Sequence, residues 1–113
     1  KKEDARIDWH QAATQIACRV RAFDPWPVAF TELRDAVLRI WRATPSTATS
    51  SAQPGDIVGV HANGIDVVCG KGTVILVQEV QLSGKSRMPA ADFARGKRLD
   101  ITSRFGSHSE PPR

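Results

Sequence analysis

Basic side chains are the residues of this 113-residue chain best placed to do chemistry, and that chemistry is the binding of phosphate. Between Gln81 and Arg104 stand Lys85, Arg87, Arg95, Lys97, Arg98 and Arg104 against only Asp92 and Asp100. That surplus equals the net charge of the whole chain, +4, so the remaining residues are balanced. A loop with Lys85 and Arg87, followed by a helix end with Arg95, Lys97 and Arg98, makes one positive patch of the kind that neutralises a phosphate backbone. Cations at a helix C-terminus also complement the helix dipole with no ligand involved. Clustering alone leaves both readings open. Arg39 and Arg42 extend the patch, and Trp41 shares a strand face with Arg39, a pairing suited to stacking a base. Burial in the core is the plainer use of that tryptophan.

Catalytic groups are scarce. His10, His61 and His108 fall on a helix, a hairpin turn and a tail, and none is matched with a Ser or Cys in a nucleophile motif. The carboxylates are single, so no acid–base pair suggests itself. The glycines sit at hairpin turns and not between a strand and a helix, so there is no phosphate-cradling loop. Cys18 and Cys69 show neither a disulfide framework nor a metal-ligand spacing and read as free, buried thiols. Taken alone the chain reads as non-catalytic, with no metal and no cofactor of its own. No apolar run approaches the roughly 20 residues of a membrane span. The start, "KKEDARIDW", lacks an initiator Met and a signal peptide's apolar stretch and reads as a cut within a longer protein.

The elements that must position the patch follow from periodicity. Asp8 with Gln11 three residues later has the spacing of a capping box, and Trp9, Ala12, Ala13, Ile16, Val20 and Phe23 recur at helical intervals. An amphipathic helix is expected from residue 8 to about 22, ended by Pro25. The segments 28–33 and 36–43 read as strands around a short polar turn. Leu38, Ile40 and Arg42 share one face, and Val37, Arg39 and Trp41 the other. Residues 44–55 read as a flexible surface loop, followed by strands at 56–60, 65–70 and 73–81 with tight turns at Asn63-Gly64 and Lys71-Gly72. A loop at 82–88 leads to a short helix with Pro89 near its first turn and Gly96 past its end. Together these predict a mainly β fold with flanking helices: a small barrel or sandwich capped by the first helix. Residues 1–7 read as linker, 8–105 as the domain and 106–113 as a disordered tail.

Two separated stretches carry a resemblance. "ARIDWHQAATQIACRVRAFDPWPVAF" and, later, "GKSRMPAADFARGKRL" resemble the C-terminal domain of methionyl-tRNA formyltransferases in order and distance, from about Lys2 to Leu99. Asp24 departs from the asparagine usual in that family, and both residues suit a turn that ends a helix. The resemblance implies a small open Greek-key barrel resembling an OB-fold, preceded by one helix, that helps hold initiator tRNA by its backbone. It implies a preceding Rossmann-like domain in which an Asn, a His and an Asp transfer the formyl group of 10-formyltetrahydrofolate, so no catalytic residue is carried over here. It matches Lys2 in the linker and Lys85 and Arg87 in the Gly-Lys loop to basic positions that meet tRNA. Arg95, Lys97 and Arg98 correspond roughly, while Arg39 and Arg42 rest on charge alone. The partners implied are initiator tRNA and the chain's own catalytic domain, in a monomer of the bacterial cytoplasm or an organellar matrix, without a membrane. Two alternatives stay open: the second domain of a formyl-transferring or formyl-hydrolysing enzyme acting on a small molecule, and a structural brace without RNA contact. In the stretch "RAFDPWPVAF", Trp26 between two prolines reads as a buried peg that seats the helix on the barrel.

Overall fold

The computed structural model describes residues 5–34 and 36–106. Its elements in chain order are α1 (Ala13–Ala22), β1 (Phe30–Leu33), β2 (Ala36–Thr49), β3 (Ile57–His61), β4 (Gly64–Val68), β5 (Thr73–Leu82), β6 (Arg87–Pro89) and α2 (Ala90–Lys97). The strands form one antiparallel sheet in the order β1-β2-β5-β4-β3, and β6 pairs with the upper half of β5. Three consecutive hairpin strands with the preceding strand returned beside the last is a Greek-key arrangement. The mainly β expectation with a helix before and after holds.

The sheet is open, but a short irregular segment links its two edges. Ile57 N–H on β3 donates to the Ser103 carbonyl (3.1 Å), Phe105 N–H to that of Gly55 (2.7 Å), and Gly106 N–H to that of Glu32 on β1 (2.8 Å). The core lies inside this wrapped sheet. Leu38, Ile40, Ile57, Ile65, Val67, Ile75, Val77 and Val80 line its concave face, plugged from one side by Ile16, Ala17 and Val20 of α1 and from the other by Ala90, Phe93 and Ala94 of α2. Trp9 stacks on Phe105 with ring centroids 5.8 Å apart, and its indole N–H donates to Thr31 Oγ1 (2.9 Å), so the buried indole and the buried hydroxyl satisfy each other.

Several boundaries differ from the sequence reading. The helix begins at Ala13, not at Asp8. Asp8 caps a turn instead: its carboxylate accepts from His10 N–H (3.0 Å) and its carbonyl from Gln11 N–H (3.0 Å). The first helical donors are met from elsewhere, Ala12 N–H by the Gln15 side chain (3.2 Å) and Ala13 N–H by Thr73 Oγ1 (2.9 Å). The expected loop at 44–55 is strand as far as Thr49, because β5 is long enough to keep pairing it, Pro45 against Ile75 included. The expected loop at 82–88 contains β6. Gly96 lies inside α2; the left-handed residue that ends the helix is Arg98, at φ 56° and ψ 43°.

Three side chains change places. Arg42 does not share the buried face of Leu38 and Ile40, because the register with β5 slips after Ile40 and recovers by Ala43, which turns Arg42 outward and Ala43 in. Cys18 is exposed on the outer side of α1, and only Cys69 is buried. Trp26 is not a buried peg: it is 69% exposed at the apex of the α1–β1 connection, and the inward places there go to Val28 and Ala29. The tail residues 107–113, with His108, lie outside the described residues.

Candidate nucleic-acid interface

Two turns and a helix end meet at one edge of the sheet and bring the cations together. The start of β2 pairs with the end of β5, so the β1–β2 turn with Arg34 lies beside the β5–β6 turn with Lys85; Ser83 N–H donates to the Val37 carbonyl (3.0 Å). The C-terminal end of α2 reaches the same place, where Arg34 Nη1 donates to the Lys97 carbonyl (3.4 Å). Arg98 takes a left-handed conformation that turns the chain, so that Leu99 packs inward while Arg98 stays exposed. Arg34, Lys85, Lys97 and Arg98 therefore crown one end of the domain. Sequence reasoning missed Arg34, because 63 residues separate it from Lys97 and only the sheet register joins them.

On the outer face of the sheet, Arg39 on β2, Gln81 on β5 and Arg87 on β6 stand in one cross-strand row. Arg39 and Arg87 are thus roughly 10 Å apart at their Cα atoms, two strand spacings. Trp41 lies on this face half-buried, not in the core: its indole N–H donates to Gln81 Oε1 (3.0 Å), and the Arg87 guanidinium sits 3.9 Å above its ring.

The structure sorts the predicted cations by occupation. Arg87 donates to Glu79 (2.8 Å), and Arg95 is hydrogen-bonded to Asp92 one helical turn earlier. Exposed pairs of this kind contribute about 0–1 kcal/mol each, enough to bias a side chain without locking it. Among the described residues no carboxylate pairs with Arg39, Arg42, Lys85, Lys97 or Arg98. Among the described residues their charge is left without an ion-pair partner. Asp100, two residues past Arg98, is held below the usual carboxylate range first by the Thr102 hydroxyl and N–H, and further by Arg34. Lys2 lies outside the described residues. Among the described residues no group of three or more His, Cys, Asp or Glu gathers in a way that could hold a metal, and no helix is long and apolar enough to cross a membrane.

Comparison with known proteins fixes the family. The model of the formyl transferase C-terminal domain matches residues 1–98. The chain belongs to that family. Methionyl-tRNA formyltransferases resemble this formyl transferase C-terminal domain over most of its length: that of Hydrogenovibrio crunogenus is 44% identical over 98 residues, covering 87% of this chain and 31% of the relative. The enzyme of Methylococcus capsulatus is 47% identical over 104 residues, covering 88% and 33%, and that of Bacillus licheniformis 40% over 110 residues, covering 97% and 35%. The chain thus spans about a third of the length of the curated relatives it matches. Among solved structures, HypX from Aquifex aeolicus in complex with tetrahydrofolic acid aligns with a TM-score of 0.69 over 83% of this chain and 17% of that one, at 18% identity, which shows a shared fold.

Proposed function

We propose that this formyl transferase C-terminal domain is the tRNA-gripping part of a methionyl-tRNA formyltransferase of the bacterial cytoplasm. In this reading a preceding catalytic domain transfers the formyl group of 10-formyltetrahydrofolate to the methionine on initiator tRNA. The present domain acts by holding the tRNA through its phosphates, as one domain of a monomer. Uncompensated Lys85, Lys97 and Arg98 at one end of the sheet, with Arg34 beside them, are the observation that carries it. Cations that two turns and a helix end bring together, and that pair with no carboxylate among the described residues, suit a curved anionic backbone better than a small substrate. Backbone contacts of this type fix position without reading sequence, so choice of the initiator falls to the rest of the enzyme. That the relatives are named methionyl-tRNA formyltransferases supports the same substrate.

The test is the salt dependence of tRNA binding. Each lost phosphate contact lowers the slope of log affinity against log salt by about one. Reversing Lys85, Lys97 and Arg98 to Glu together should weaken binding strongly at low salt and flatten the slope by about three. Arg95→Gln, which removes a cation already held by Asp92, should change both far less. Equal slopes for the wild type and the triple variant would remove the electrostatic reading and favour a small-molecule enzyme or a structural brace.

A further inference from the structure

The cationic end is not a flat surface. Between the β5–β6 turn and α2 lies an open groove of about 420 Å³ whose floor is Leu82, Met88 and Phe93, with Lys85 and Lys97 on its two sides. Met88, on the three-residue strand β6, leaves 37% of its surface uncovered there. A site made only for phosphate needs no apolar recess. We propose, building on the tRNA reading above, that this groove receives the base of one unpaired nucleotide of the bound RNA, while Lys85 and Lys97 hold the phosphates on either side of it.

Three observations converge on that occupant. The first is charge complementarity: a nucleotide is an apolar, flat ring joined to anions, and the groove is an apolar slot between two cations that form no ion pair among the described residues. Asp92 also lines the groove, but its carboxylate is engaged by Arg95 and does not confront the ligand as a bare charge. The second is Gly96. It lies in the last turn of α2 and lines the groove, and a Cβ added there would meet nothing within 4 Å. Neither packing nor backbone conformation requires glycine at that point, and glycine weakens a helix relative to alanine. What it does is keep the slot open. The third is the character of the floor: the unbranched thioether of Met88, exposed above the buried Phe93, gives a base an adaptable apolar surface with no donor pattern to select one base over another. Ser86 at the mouth adds a hydroxyl within the same lining.

Filling the groove from its own wall separates this inference from the simpler one. Two RNA hairpins closed by a non-nucleotide linker, so that no loop base is unpaired, serve as probes, one with a fully paired stem and one with the same stem carrying a single unpaired nucleotide. The wild-type chain should prefer the second by about fivefold or more, the lower range for stacking one base. Gly96→Leu should abolish that preference and leave affinity for the paired hairpin unchanged, while Gly96→Ala keeps most of it. Thermal unfolding of both variants verifies that they fold; if Gly96→Leu does not, Met88→Glu on the exposed part of the floor replaces it and should abolish the preference too. No preference in the wild type, or a preference that survives in a folded groove variant, overturns the base pocket. If the charge-reversed triple variant still loses binding, the phosphate grip stands without it. Failure to bind either hairpin overturns both readings. Self-association of the wild type that Gly96→Leu removes would give the groove to a second copy and overturn the pocket as well.

Discussion

Arg87 lies over Trp41 and gives a hydrogen bond to Glu79, while Lys85, two residues earlier, meets no carboxylate among the described residues. Side chains of one charge and nearly one position are thus set to different uses, one to fasten β6 across the sheet and one to face outward. The sequence carries the positions of both but not that division, because it depends on cross-strand partners. The thiols separate in the same way. Burial pushes the Cys69 thiol up to about 12 from an ordinary 9, while Cys18 is exposed on α1. An alkylating reagent at neutral pH should modify the native chain once, at Cys18, and the unfolded chain twice; modification of Cys69 at a matching rate in the native state would contradict the burial. Because the folded thiol holds its proton more tightly than the unfolded one, its contribution to stability is complete below pH 9 and is lost as pH rises toward 12. The helical pattern already put Cys18 on the polar side of α1. Its exposure was legible there, whereas the general preference of cysteine for the interior misled.

At the scale of elements, the start of α1 shows how a strong local signal loses to a tertiary one. The Asp8 to Gln11 spacing suits a helix cap, yet the helix waits until Ala13, where the sheet supplies the partner: Thr73 Oγ1 accepts from Ala13 N–H and donates to the Gly70 carbonyl (2.7 Å). Gly70 N–H in turn donates to the Gln11 carbonyl (2.8 Å). Gly70 is a point of close approach, where a Cβ would stand 1.8 Å from the His10 carbonyl oxygen. Gly70→Ala should therefore destabilise the fold by about 3 kcal/mol or more, read as a lowered midpoint in urea unfolding, while Gly96→Ala in the open groove should not. The far half of β2 was hidden for a related reason. Its Thr, Ser, Ala and Pro residues are mostly exposed and carry no alternation, and only the length of β5 opposite them makes that stretch a strand. The β3–β4 hairpin and a burial-driven β5 were readable because their signals are local, although the turn itself is Ala62-Asn63 and Gly64 already pairs with His61.

For the molecule as a whole, composition revealed a basic surplus and its approximate place, and the fold gathered Lys85, Lys97 and Arg98 of that surplus at one end and added Arg34, while Arg104 pairs with Asp56 elsewhere. The architecture was legible from strand spacing, but the piece that ties its edges was not, since residues 103–106 lack strand periodicity. Phe105 has two duties there: its ring stacks on Trp9, and its N–H donates to the Gly55 carbonyl just before β3, holding the segment that reaches β1. Phe105→Ala leaves a cavity beneath Trp9 and should cost about 3–5 kcal/mol, seen as a large fall in thermal midpoint. A loss under about 1 kcal/mol would show that the sheet closes without that ring.

That tie also bears on where the domain ends. Recognisable similarity to the family model stops at residue 98, after the last turn of α2. A recombinant fragment trimmed at that border would keep every regular strand and both helices and still lack Leu99, Ser103, Phe105 and Gly106. It would uncover the Trp9 indole and leave the start of β3 and the Glu32 end of β1 without the backbone partners that cover them, open to pairing with other chains. The last residues needed to close the domain thus lie past the border of the family model, and a cloning boundary belongs beyond Gly106.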